Sequence, residues 1–208
     1  MSKIVVSLAV ALTVSPLSVL PAAPMPMSAP DTPSEIAACV VDNDAGDVRI
    51  LLKTVPGSPA EAAAARPVLQ YYGGCDGNKA SDGVLAWRDR AEIANAALVK
   101  RIGKKTPDVS AATQPGWALE IGKGEVAGAD YDSSAVGMRM LGDCVVRSAP
   151  QAAADLARSA PDSAGERTAI GQLSPVLAPC IPAGQNMRVK RADLRLLVAE
   201  PLYHLLGK

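Results

Sequence analysis

The sequence predicts an all-α fold made of two tandem repeats, each of about four short helices closed by one disulfide. Three features carry the prediction: cysteines in two equally spaced pairs, a composition that favours helices, and helix-start signals that recur at one offset. Cys39 and Cys75 are 36 positions apart, Cys144 and Cys180 are also 36 apart, and the pairs are offset by 105. Aligned without a gap, Cys39-Val40-Val41 falls on Cys144-Val145-Val146, Leu51 on Leu156, Pro56 on Pro161, Ser58 on Ser163, Glu61 on Glu166 and Ala64 on Ala169. A fixed-period match of this kind is the signature of an internal repeat. After a four-residue shortening in the second copy, Arg90-Ala91-Glu92-Ile93 matches Arg191-Ala192-Asp193-Leu194.

Alanine is abundant and phenylalanine absent, and the aromatic residues are Tyr71, Tyr72, Trp87, Trp117, Tyr131 and Tyr203. Strands want β-branched and aromatic side chains, so this composition points to helices.

The N-terminus reads as a secretory signal. Lys3 supplies the positive charge, Ile4 to Val14 the apolar run, and a Pro/Ala/Ser/Met stretch through Ala29 the cleavage zone. Ser15, Pro16 and Pro21 interrupt the run before the roughly 20 residues a membrane span requires, so no transmembrane helix is expected in the mature protein. No lipobox cysteine follows. The expected location is the periplasm or the exterior, and the expected division is a signal at 1–29, repeats at 30–103 and 134–208, and a linker at 104–133. The chain holds 21 basic and 21 acidic residues, and loss of Lys3 leaves a slight acidic excess. Such a balance gives no electrostatic case for a nucleic acid partner.

Within each repeat the elements follow from local chemistry. Asp44-x-x-Asp47 and Ser148-x-x-Gln151 predict starts of short helices ending near Lys53 and Arg158. Ser58-Pro59-Ala60-Glu61 and Ser163-Ala164-Gly165-Glu166 are capping boxes, with Pro59 at a first helical position. Beyond the second box Ile170, Leu173, Val176 and Leu177 keep helical spacing; in the first copy Ala65, Val68, Leu69 and Tyr72 do, with Pro67 expected to kink or shorten the helix. Gly73-Gly74 reads as a helix stop. Val136, Met140, Leu141 and Cys144 mark a helix into the second copy. Ile93, Ala97 and Leu98, and Leu194, Leu197, Val198 and Leu205, mark the last helix of each, with Pro201 interrupting the second. Each repeat then carries one cysteine on its first helix and the other just past its third. The Gly/Pro-rich stretch 104–133 predicts a connection, with a short strand or hairpin around Trp117 to Val126 and Trp117 packing back onto a repeat.

Four cysteines in an exported chain predict two disulfides, and of the three possible pairings the repeat selects Cys39–Cys75 and Cys144–Cys180. No C-x-x-C or C-x-x-C-H directs them to zinc or haem. Asp42-Asn43-Asp44-Ala45-Gly46-Asp47 resembles a calcium loop only superficially, since Lys53 stands where the bidentate glutamate belongs. No catalytic, metal or cofactor motif is present: His204 is the lone histidine, no G-x-S-x-G surrounds a serine, and Gly122-Lys123-Gly124 lacks the rest of a P-loop. An acid pair such as Asp130 and Asp132 is the one candidate for a hydrolase acting on envelope polymers.

Two basic clusters remain. Lys100, Arg101, Lys104 and Lys105 suit a helix C-terminus. Arg188, Lys190, Arg191 and Arg195 sit at a helix start, where positive charge is mildly unfavourable, and form the candidate surface for an anionic partner.

Gly142-Asp143-Cys144-Val145-Val146-Arg147, the Pro-x-Ser-x-x-Glu segments, Pro179-Cys180-Ile181-Pro182 and Ala199-Glu200-Pro201-Leu202-Tyr203 together resemble a group of exported alphaproteobacterial proteins of the sphingomonad type that have no assigned activity. The resemblance covers both repeats, most closely residues 140–206. It implies export and a helical build. The first copy departs from it at Leu98 to Ile102, which lacks the tyrosine. The expected function is an exported interaction module without catalysis whose partner is an envelope protein or glycan; an envelope-polymer hydrolase and an inhibitor of a periplasmic enzyme are the alternatives.

Overall fold

A computed structural model describes residues 32–76, 85–103, 107–113, 116–122, 133–183 and 189–207. The signal and cleavage zone, Asp130, Asp132, Lys104, Lys105 and Arg188 lie outside them. The described residues form helices and no strand: α1 (Pro33–Asn43), α2 (Ala45–Leu52), α3 (Pro59–Asp76), α4 (Trp87–Ile102), a 3₁₀ turn (Ser110–Thr113), α5 (Trp117–Gly122), α6 (Ser133–Ser148), α7 (Pro150–Arg158), α8 (Ala164–Cys180) and α9 (Arg191–Leu205). None is long and apolar enough to cross a membrane.

Both disulfides pair as the spacing predicts, Cys39 with Cys75 and Cys144 with Cys180. The first ties α1 to α3, the second α6 to α8. Around them the halves pack alike: α1 lies on α2, α3 and α4 as α6 lies on α7, α8 and α9, and α2 bridges α3 and α4 as α7 bridges α8 and α9. Buried residues recur at the offset of 105: Val40 and Val145, Leu51 and Leu156, Val68 and Leu173, Ile93 and Val198, Ala94 and Ala199.

The halves meet through α4 and α9, which run side by side in the same direction. Near their starts Arg88 pairs with Asp193 at 2.5 Å; near their ends the Arg101 guanidinium lies 3.9 Å over the Tyr203 ring and donates to the Tyr203 carbonyl at 2.8 Å. One apolar cluster runs continuously through both halves and includes Val40, Leu51, Ile93, Leu98, Val145, Leu156, Leu173 and Leu202.

The helix starts show the local chemistry at work. Ser58 Oγ accepts from Glu61 N–H and Ser163 Oγ from Glu166 N–H, each at 3.1 Å. The returning glutamates reach one residue further back than a capping box requires, to the N–H of Gly57 (2.5 Å) and of Asp162 (2.8 Å). Both residues are left-handed, φ 77° and 59°, which suits glycine and is uncommon for aspartate. Asp44 caps α2 through the N–H of Asp47. Thr32 and Glu35 make a further capping box at α1.

The structure corrects several expectations. Ser148 does not open α7: it is the last residue of α6, and Ala149 precedes Pro150 at the first helical position. Pro67 does not shorten α3, and Gly73-Gly74 do not end it. Tertiary burial of Ala65, Val68 and Leu69 and the Cys75 tether hold the helix to Asp76, so Cys75 and Cys180 lie inside the last turns of α3 and α8 instead of past them. Trp117 begins a helix where a strand or hairpin was expected, with Ala118 and Ile121 on its buried face.

Pro201 likewise sits inside α9. Lacking an N–H, it leaves the Leu197 carbonyl without its helical donor. That carbonyl faces Gly142 of α6, where an added Cβ would lie 2.1 Å from the oxygen. Proline on one helix and glycine on the next therefore set a close crossing together.

Candidate functional site

Several ionised side chains lie inside the protein. Glu200, fully buried on α9, accepts from Arg90 Nε (2.9 Å) and Nη2 (2.5 Å) through Oε1, and from Arg139 Nε (2.8 Å) through Oε2. Arg90, 1% exposed, also donates to Glu61 (2.7 Å), to Thr54 Oγ1 (3.0 Å) and to the Thr54 carbonyl (2.9 Å). Burial alone would raise the Glu200 pKa; the facing Arg90 and Arg139 guanidiniums reverse this and hold it well below the usual 4.5. Four helices from both halves, α3, α4, α6 and α9, are thereby tied to one carboxylate and its partners.

A second network repeats part of the first. Arg195 donates to Glu166 (2.9 Å), to the Ser159 carbonyl (2.7 Å) and Oγ (3.3 Å), and to the Leu156 carbonyl (2.7 Å). Glu166 and Ser159 stand 105 positions after Glu61 and Thr54, and Arg195 stands 105 after Arg90. The partner of Arg90 is thus Arg195 and not Arg191, and the correspondence runs through the last helix without the four-residue shortening. Asn95 of α4 falls on Glu200 of α9, so the first half has no buried glutamate at that place.

These bonds also account for the basic cluster at the start of α9. Arg195 is turned inward and spent on Glu166 and three carbonyls; Arg191, half-exposed, pairs with Glu166 at 3.2 Å. Glu166 thus anchors positive charge where the helix dipole disfavours it. Lys190 precedes the helix, exposed. In the other cluster Lys100 pairs with Asp42 at 2.7 Å and Arg101 holds Tyr203.

Trp117 packs onto the second half as expected, its ring stacked on His204 at 4.1 Å and 16°. His204 Nε2 lies 3.9 Å from Glu200 Oε1, beyond hydrogen-bond distance. Among the described residues no three His, Cys, Asp or Glu side chains converge as metal ligands.

The space open to a ligand lies elsewhere, in a half-open groove of about 750 Å³ along α6, walled by α5 and by the end of α8. Leu119, Met138, Met140, Leu141, Pro182 and the Cys144–Cys180 bridge make it largely apolar. Its charged members, Asp143 and Arg147, are bound to one another at 2.7 Å, and Arg147 also donates to the Ala112 carbonyl. Among the described residues of the first half the corresponding places are used differently: Thr32 and Glu35 of the α1 capping box stand 105 positions before Gly137 and Met140 of the groove.

Comparison with family models, curated proteins and solved structures returns no match for this chain.

The sequence places Val136, Met140, Leu141 and Cys144 on one helical face, and in the structure Val136 and Leu141 are buried whereas Met140 opens onto the groove. Exposure of Met140, 37%, separates the two uses, and no residue type signals it in advance.

Proposed function

We propose that the chain is an exported interaction module, built by duplication of a disulfide-stapled four-helix unit, that works by binding and not by catalysis. One observation carries this reading: the buried ionised side chains Arg90, Arg139, Glu200 and Glu166 are consumed in joining helices, whereas an open, largely apolar groove of about 750 Å³ lies along α6, its one buried charge, Asp143, paired with Arg147. Concave, mostly apolar sites with a few polar groups are the ordinary form of a binding site. The two disulfides support an oxidising compartment, and the signal-like residues 1–29 and the likeness to exported sphingomonad-type proteins support the same location.

The test is photo-crosslinking inside an envelope. The full chain is produced in a Gram-negative host with a photoreactive residue at position 140 or, as control, at exposed position 50. Recovery in the osmotic-shock fraction without the first residues, with a saturable adduct at 140 and none at 50, is expected. Retention in the cytoplasm, or equal adducts at both positions, would sink the reading.

A further inference from the structure

The groove on α6 carries three observations that together select an occupant. The first is a glycine without a packing role. Gly137 lines the groove in the middle of α6, and no described atom lies within 4 Å of the place its Cβ would take. A mid-helix glycine disfavours the helix relative to alanine. Gly142, one turn on, has a reason in the Leu197 carbonyl; Gly137 has none among the described residues. Its effect is to widen the groove floor.

The second is charge. Asp143 and Arg147 face each other across one turn and neutralise one another, so the groove offers no net charge to a ligand head. A carboxylate or an ammonium head would give up hydration there with no net opposite charge to replace it. A neutral polar head meets no repulsion and can accept from the guanidinium, whose bonds to Asp143 and Ala112 are made by Nε and Nη1.

The third is the lining. Met138 and Met140 are unbranched and polarisable, and they adapt to apolar chains of variable shape. A groove of about 750 Å³ falls within the roughly 300–1,000 Å³ of small-molecule sites.

We infer that the groove formed by α5, α6 and the Cys144–Cys180 end of α8 binds a neutral, chain-like apolar ligand, such as a long-chain alcohol or a neutral acylglycerol. This rests on the binding reading above and names its ligand class.

The experiment uses the oxidised chain and the neutral dye N-phenyl-1-naphthylamine, followed by fluorescence. Saturable one-to-one binding is expected, with displacement by dodecanol at least tenfold more effective than by dodecanoate or dodecylammonium. Gly137→Trp fills the open floor and should weaken dye binding at least tenfold with an unchanged circular dichroism spectrum and melting temperature. Should that variant misfold, Met140→Glu, at an exposed position, should do the same. Lack of saturable binding, preference for either charged amphiphile, or full binding by a folded Gly137→Trp protein would each overturn the inference. A protein adduct at position 140 together with no dye binding would leave the interaction module standing and remove its lipid-like ligand.

Discussion

Arg90 of α4 and Glu200 of α9 are joined by two hydrogen bonds in a place that solvent does not reach, although 110 positions separate them in the chain. Removing one partner of a buried pair leaves the others uncompensated, at a cost of roughly 3–5 kcal/mol. Glu200→Gln is therefore expected to lower the free energy of unfolding by that amount, seen as a lower urea midpoint with little change in slope. Replacing Glu200, Arg90 and Arg139 together by leucine or methionine should recover much of the loss. An unchanged midpoint for Glu200→Gln would show that the network contributes nothing to stability.

Acid sensitivity follows from the same carboxylate. Its folded pKa is depressed below the ordinary 4.5, so its stabilising contribution is complete above that value and is lost as the pH falls toward the folded pKa. Glu166 is lowered as well: burial would raise it, and the hydrogen bonds from Arg195 and from the Asp162 N–H, with the charges of Arg195 and Arg191, together outweigh burial. Stability should fall below about pH 4.5, and Glu200→Gln should flatten that fall. Urea melts at several pH values read this directly; parallel curves for the two proteins would contradict it.

Each disulfide closes a 36-residue separation. Loop-closure entropy assigns about 3–4 kcal/mol to a loop of that length. The double replacements Cys39→Ala with Cys75→Ala and Cys144→Ala with Cys180→Ala should thus destabilise similarly in denaturant melts. Only the second pair borders the groove, so only that variant should also weaken binding of the neutral dye.

Two glycines of α6 should respond in opposite senses to the same change. Gly142→Ala places a methyl group 2.1 Å from the Leu197 carbonyl and must push α6 from α9, lowering the melting temperature by several degrees. Gly137→Ala meets open space and should stabilise by up to about 1 kcal/mol. Thermal unfolding of both variants tests the pair, and equal effects would contradict the crossing geometry.

What the sequence disclosed was local or symmetric. Ser58, Glu61, Ser163 and Glu166 announce helix starts because a cap is made within three or four residues. The cysteine pairing was legible because its spacing recurs. Helices through Pro67, Gly73 and Pro201 were not, since burial against other helices overrides backbone preference and leaves no local mark. The register of the last helix was misjudged for a related reason: Arg90 and Arg191 open similar short strings, but Arg195 is the one whose reach brings it to Glu166 and Ser159. The Glu200 network joins residues 61 and 110 positions apart, and nothing in a single sequence connects them. The groove was hidden because Met140, four positions from both Val136 and Cys144, keeps the same helical spacing that a core face would.

The pairing of α4 with α9 bears on the order in which the protein can be made. Arg90 leaves the ribosome long before its carboxylate partner, which lies 110 positions later in the chain. Until Glu200 arrives, the first half holds a guanidinium with only part of its eventual company, and the α4 surface that will meet α9 has no cover. The arrival of α9 is then the event that covers α4 and completes the Arg90 network, and a chain cut before Glu200 would leave the Arg90 guanidinium with Glu61 as its remaining carboxylate partner.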